Sequence, residues 1–298
     1  MFTGCGTALV TPFRSDGSLD EEAFRALVRW QLESGIHFLV PCGTTGENPT
    51  LTKQEHRRVV EMTLEEAKGK VPILAGCGGY NTAEVAALAS ELESMEVDGL
   101  LSVTPYYNKP TPEGLYEHFL AVSKASRLPI VVYNVPSRTG SNVKAQTLAR
   151  LASIDNVVGV KEASGDIGQM AEIFQLVPKS FSVLSGDDSV TLALMALGGA
   201  GVISVASNEI PAALSQLCEA CANGDFDKAR EIHRRCHALM EVNFIETSPG
   251  PVKWALSVMG RIQPNYRLPI VPPTNESKAE IERVLAGLGL TRMLASAD

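Results

Sequence analysis

The chain has 298 residues, 45% hydrophobic and 20% charged, with a net charge of −8. That length suits one large domain or two ordinary ones with a sizeable core. The acidic balance, with no basic cluster, speaks against nucleic acid and anionic membrane as partners.

In chain order, short apolar runs alternate with amphipathic segments. The opening MFTGCGTALVTPF lacks the basic flank and apolar run of a secretory signal. No apolar stretch reaches the roughly 18 residues of a membrane span, so the expected compartment is the cytoplasm. Eight apolar runs read as strands: 6–13, 37–43, 71–78, 98–107, 128–136, 156–164, 181–188 and 199–207. They are rich in Val, Ile and Leu and mostly lack polar alternation, as strands buried on both faces do. Between them, helical spacing predicts helices over 19–34, 52–68, 82–95, 111–126, 144–153, 167–177, 189–197 and 211–222. The helix at 52–68 opens with a T-x-x-E capping box, Thr52 to Glu55. Strand and helix alternating eight times predicts an α/β protein, a (β/α)8 or TIM barrel, over residues 1–223. A doubly wound sheet is the alternative, but no G-x-G-x-x-G turn or Walker A pattern occurs. Residues 224–298 carry helical patterns at 225–245, 251–259 and 276–286, the last ending at Gly287. They form a small C-terminal helical extension expected to pack on the barrel.

The six cysteines (Cys5, Cys42, Cys77, Cys218, Cys221, Cys236) are scattered, which predicts reduced thiols. Cys218 and Cys221 form a C-x-x-C followed by His233, Cys236 and His237. Zinc is weighed and set aside: a second C-x-x-C is missing, and small cysteines pack well between helices. The five histidines do not cluster at predicted strand ends, so metal-dependent chemistry is not expected.

Polar residues collect where the predicted strands end, the active face of such a barrel. They are Gly43-Thr44-Thr45-Gly46-Glu47, Tyr106-Tyr107, Tyr133-Asn134, Lys161-Glu162 and Ser185-Gly186-Asp187. Lys161 ends the apolar run VVGV. Loss of water there disfavours the ammonium, and a free amine attacks a ketone to give a Schiff base that supports carbon–carbon bond chemistry. The other reading is a lysine that leaves the barrel mouth and pairs with Glu162. Tyr133 is either a proton relay or a core tyrosine with a bonded hydroxyl. Thr44 and Thr45 either cap a turn or bind a carboxylate. Arg138, in a loop with Pro and Gly, either clamps a carboxylate or is a solvated loop residue.

Three motifs, GTTGE at 43–47, YNVPSRTG at 133–140 and GVKEASGD at 159–166, together resemble the dihydrodipicolinate synthase / N-acetylneuraminate lyase superfamily. YNVPSRTG and TPYYNKP resemble the branch that joins pyruvate to L-aspartate-4-semialdehyde on the way to diaminopimelate and lysine. The resemblance implies that Lys161 forms the imine with pyruvate and that Tyr133 donates and accepts protons. Thr44 and Tyr107 complete the relay, the latter reaching in from the neighbouring subunit. Thr45, with the backbone at Gly186 and Ile203, holds the pyruvate carboxylate, and Arg138 that of the semialdehyde. It also implies a homo-oligomer, a tetramer built from tight dimers, and no cofactor. Lysine-inhibited members bind lysine at a site that His56, Glu84 and Tyr106 match. Asn48, Lys53 and Tyr80 stand where serine, histidine and asparagine are usual, which implies weak lysine feedback. The alternatives are a lyase or dehydratase of 2-keto-3-deoxy sugar acids, against which Arg138 speaks, and a catalytically silent barrel, against which the intact residue set speaks.

Overall fold

The computed structural model describes residues 2–291. Eight strands form one parallel sheet: β1 (Gly4–Ala8), β2 (Phe38–Val40), β3 (Leu74–Gly76), β4 (Gly99–Val103), β5 (Ile130–Asn134), β6 (Val157–Glu162), β7 (Ser182–Ser185) and β8 (Gly201–Ser204). They hydrogen-bond in the order β2-β1-β8-β7-β6-β5-β4-β3. A parallel bridge from Leu39 to Ile73 brings the two edge strands together. The result is the (β/α)8 barrel expected from the alternation.

The helices are α1 (Glu21–Glu33), α2 (Lys53–Ala67), α3 (Thr82–Ser94), α4 (Pro112–Ala125), α5 (Pro136–Thr139), α6 (Ala145–Leu151), α7 (Ile167–Leu176), α8 (Thr191–Ala196), α9 (Pro211–Ala222), α10 (Phe226–Val242), α11 (Gly250–Val258) and α12 (Asn275–Gly287). Their starts follow local rules. Thr52 and Glu55 close the predicted capping box. Asp20, Asn81, Thr111, Asp166, Asp225 and Thr274 accept from first-turn amides of their helices. α12 runs through Gly287, and the left-handed glycine beyond its end is Gly289, at φ +69°.

Two apolar layers make the barrel. The outer layer packs strands against helices; the inner one gathers Ala8, Phe38, Val40, Leu74, Leu101, Val131, Tyr133, Leu184 and Ile203. Truncating a buried leucine such as Leu184 to alanine should cost about 2–5 kcal/mol. α10, α11 and α12 share a further buried cluster that includes Leu239, Ala255 and Ile281. Val252 and Leu256 of α11 pack with Val10 and Leu27, which ties these helices to the barrel. All six cysteines are free and buried. Among the described residues no helix is long and apolar enough to cross a membrane.

Candidate active site

Strand register sets the position of Lys161. β5 and β6 pair Tyr133 with Lys161, and β6 and β7 pair Lys161 with Leu184. Partners in register face the same side of a sheet, so Lys161 points into the inner layer beside both. It is 4% exposed, and its Nζ lies 4.2 Å from the centroid of the Tyr133 ring. It makes no ion pair among the described residues. Glu162, one residue on, turns to the opposite face. Its carboxylate accepts from Asn134 Nδ2 at 2.9 Å and from the Ser164 amide at 2.8 Å, and burial raises its pKa. The Lys161–Glu162 pair considered above therefore does not form, because neighbours on a strand diverge. Gly186 completes the niche: a Cβ there would lie 3.1 Å from Lys161 Cε and 2.6 Å from Ala163 Cβ.

Two cavities meet at Tyr133, Val135 and Arg138. The first, of about 220 Å³, is also lined by Gly43, Thr44, Cys77 and Tyr106. The second, of about 480 Å³, is also lined by Ala163, Gly186, Asp187 and Ser248. Arg138 lies in the short helix α5, not in a loop. Pro136 opens that helix and Gly140, at φ +67°, ends it. The Arg138 guanidinium donates to the Ser248 carbonyl at 3.2 Å. Asn134 steadies the segment after β5: its Oδ1 accepts from the Val143 amide and its Nδ2 donates to Asn142.

The GTTGE turn follows β2. The Gly46 amide donates to the Gly43 carbonyl at 3.1 Å and the Glu47 amide to the Thr44 carbonyl at 3.0 Å. Thr44 lines the first cavity and Thr45 is buried. Neither hydroxyl caps the 3-10 turn at Asn48–Thr50, whose N-cap is Glu47. The turn is anchored from outside: Thr11 Oγ1 donates to the Gly46 carbonyl at 2.7 Å, and Lys253 Nζ donates to Glu47 Oε1 at 2.6 Å.

Other candidate residues lie apart. Ile203 is fully buried in the inner layer. Tyr107 is 91% exposed, has a left-handed φ of +68°, and lines neither cavity. Within one chain it is not brought to Lys161. His56 and Glu84 line a separate cavity of about 210 Å³ with Asn48, Lys53 and Asn81. Tyr106 is not part of that lining; it belongs to the first cavity, and its ring meets Tyr80 edge-on at 5.3 Å. The two cavities share Asn48 and Gly78. His56 Nε2 is 2.9 Å from the Gly76 carbonyl, and burial lowers its pKa.

Sequence reasoning missed Cys42 and Cys77 in the first cavity and the Ser248 carbonyl behind Arg138. It also missed Lys253. The signal existed, because PVKWAL sets a lysine in an apolar helical stretch, as VVGVK does in a strand. Burial raises the Cys77 thiol to about 12 and the Cys42 thiol beyond that, so neither is a nucleophile.

Residues 1–287 match the model of the dihydrodipicolinate synthetase family. The 4-hydroxy-tetrahydrodipicolinate synthase of Koribacter versatilis is 52% identical over 290 residues, 97% of each chain. The dihydrodipicolinate synthase structure from Thermotoga maritima is similar with a TM-score of 0.95 and 46% identity, covering 97% of this chain and 99% of that one. The one from Aquifex aeolicus has a TM-score of 0.96 and 43% identity, covering 98% of this chain and all of that one. A barrel of this topology, a buried lysine beside a tyrosine at the strand ends, and likeness along nearly the whole length lead to one conclusion: the chain belongs to the dihydrodipicolinate synthetase family.

Proposed function

We propose that this chain condenses pyruvate with L-aspartate-4-semialdehyde to give 4-hydroxy-tetrahydrodipicolinate, in the route to diaminopimelate and lysine. The carrying observation is Lys161, buried against Tyr133 with no carboxylate partner among the described residues. As the free amine it attacks the pyruvate ketone, and loss of water gives an imine. Loss of a methyl proton gives an enamine, whose carbon attacks the aldehyde. The substrate's own amine then displaces Lys161 and closes the ring. In this reading Tyr133 carries protons, relayed through Thr44. Thr45 and the backbone at Gly186 and Ile203 hold the pyruvate carboxylate, and Arg138 at the junction of the two cavities takes that of the semialdehyde.

The relay also uses Tyr107 of a second copy. The exposure of Tyr107, of Leu268 (78%) and of Val271 (56%) supports a homo-oligomer, which the reading makes a tetramer of tight dimers; sedimentation at micromolar protein measures it. A left-handed φ at a bulky residue is the kind of strain that accompanies function. The cavity at His56 and Glu84 is the proposed regulatory site, with Tyr106 at its border. Its lining sets Lys53 beside Glu84 and Glu91; in this reading repulsion by Lys53 weakens feedback by lysine.

The experiment is pyruvate consumption with aspartate semialdehyde, compared against 2-keto-3-deoxy sugar acids. Turnover of the sugar acids, and not of the semialdehyde, replaces this reading with that of a sugar-acid lyase or dehydratase.

A further inference from the structure

The buried pair Lys253–Glu47 lies outside the cavities yet reaches the turn that borders them. Lys253, on α11, has no exposed side-chain surface, and Glu47 is 2% exposed. Lys253 Nζ donates to Glu47 Oε1 at 2.6 Å and to the Thr11 carbonyl at 3.2 Å. The ammonium also sits 4.3 Å from the Phe13 ring centroid and 5.3 Å from that of Tyr266. Glu47 has a left-handed backbone, φ 56° and ψ 34°, which a non-glycine residue adopts only when held. Its second oxygen, Oε2, is buried with no hydrogen-bond partner among the described residues. Fold stability alone does not call for such a pair, because apolar residues of similar volume serve as well or better. A charged pair does supply geometry: it selects one rotamer of Glu47 and one path for the backbone that carries it.

That backbone is the end of the GTTGE turn. Thr44 and Thr45 lie between the end of β2 and Glu47. Thr11 closes the same clamp twice, by its hydroxyl on Gly46 and its carbonyl on Lys253. We infer that Lys253 is a positioning residue: acting through Glu47 across 206 residues of chain, it sets Thr44 and Thr45 against pyruvate. The inference rests on the assignment of these threonines to the pyruvate site. It gives α11 a part in the reaction although none of its residues touches substrate.

The test is the pyruvate concentration dependence of borohydride trapping on Lys161, with melting temperature measured in parallel. The variants are Lys253→Met, Glu47→Gln, the double variant, and Val252→Ala, a buried neighbour on α11 that packs with Val10, Leu27 and Leu256 and makes none of the clamp's hydrogen bonds. A displaced turn should raise half-saturation by about 10- to 100-fold in either single variant. The adduct at saturating pyruvate should stay complete, and the double variant should be no worse than the singles. Val252→Ala should lower the melting temperature and leave half-saturation unchanged. Should Lys253→Met fail to fold, Glu47→Gln, which preserves shape, gives the same reading. Normal half-saturation in the folded variants, or an equal rise in Val252→Ala, overturns the inference alone. Absence of trapping in the unaltered chain overturns the pyruvate assignment, and this inference with it.

Discussion

Two lysines are buried among the described residues, and their surroundings differ. Lys253 has a carboxylate, a carbonyl and two aromatic rings around its ammonium. Lys161 has the face of Tyr133 and, among the described residues, no carboxylate. Burial disfavours the Lys253 charge, and the Glu47 carboxylate stabilises it. In the proposed function Lys161, which has no such partner among the described residues, is the amine that takes the ketone. Burial alone therefore does not mark a reactive lysine; the proposed function turns on the partner that Lys253 has and Lys161 lacks among the described residues.

The largest expected effect separates the two directly. Pyruvate with borohydride should add a stable mass to Lys161 and none to Lys253 in folded protein, and Lys161→Ala should lose the adduct and turnover together. Peptide mapping checks it, and an adduct on Lys253 would remove the distinction.

Proton transfer comes next. Tyr107→Phe should lower turnover by about 10²–10⁴-fold, the usual contribution of a positioned acid or base, while imine formation survives in part. Wild-type turnover in that variant would make Tyr107 a packing residue.

Stability tests the other lysine. Lys253→Met leaves Glu47 buried and unpaired and should cost about 3–5 kcal/mol, much of it recovered in Lys253→Met/Glu47→Gln. Urea unfolding of the unaltered chain and the two variants measures this. Equal stability of the single and double variants would show that the pair carries no coupling.

A buried base with neither role sharpens the contrast. His118, hydrogen-bonded to Thr82 at 2.9 Å, is lowered by burial from 6.5 to about 4. It is neutral in both states above pH 6.5. As pH falls the unfolded chain takes up the proton first, so stability declines between about 6.5 and 4, by up to roughly 3 kcal/mol. His118→Gln should flatten that part of the pH–stability curve; an unchanged slope would assign the decline to other groups.

The smallest effect is expected from lysine. If Lys53 outweighs Glu84 and Glu91 in the lining of the His56–Glu84 cavity, a lysine titration should inhibit weakly or not at all. Strong inhibition at low lysine would show that like charge does not govern that site.

Much of this was legible in the chain. Apolar runs at regular spacing predict a parallel barrel because strands covered on both faces need no polar alternation. Caps such as Thr52–Glu55 are local, so helix starts follow from a few adjacent residues. Lys161 at the end of VVGV was conspicuous for the same local reason. Its freedom from Glu162 was implicit too, since strand neighbours point apart. The helical state of PSRT was less visible: Pro136 and Gly140 suit a loop and a capped single turn equally.

What the tertiary structure alone decided are relations across long separations. The cradle of Arg138 by Ser248 spans 110 residues and the Lys253–Glu47 pair 206, and no local pattern encodes either. The lysine in PVKWAL announced a buried charge, but its partner depends on how α11 lands on the barrel. The same holds for Tyr106 and Tyr107: adjacent in sequence, one lines the cavity and the other faces solvent. A left-handed backbone at Tyr107 turns the chain between them, and which side chain a turn sends inward is settled by the packing around it.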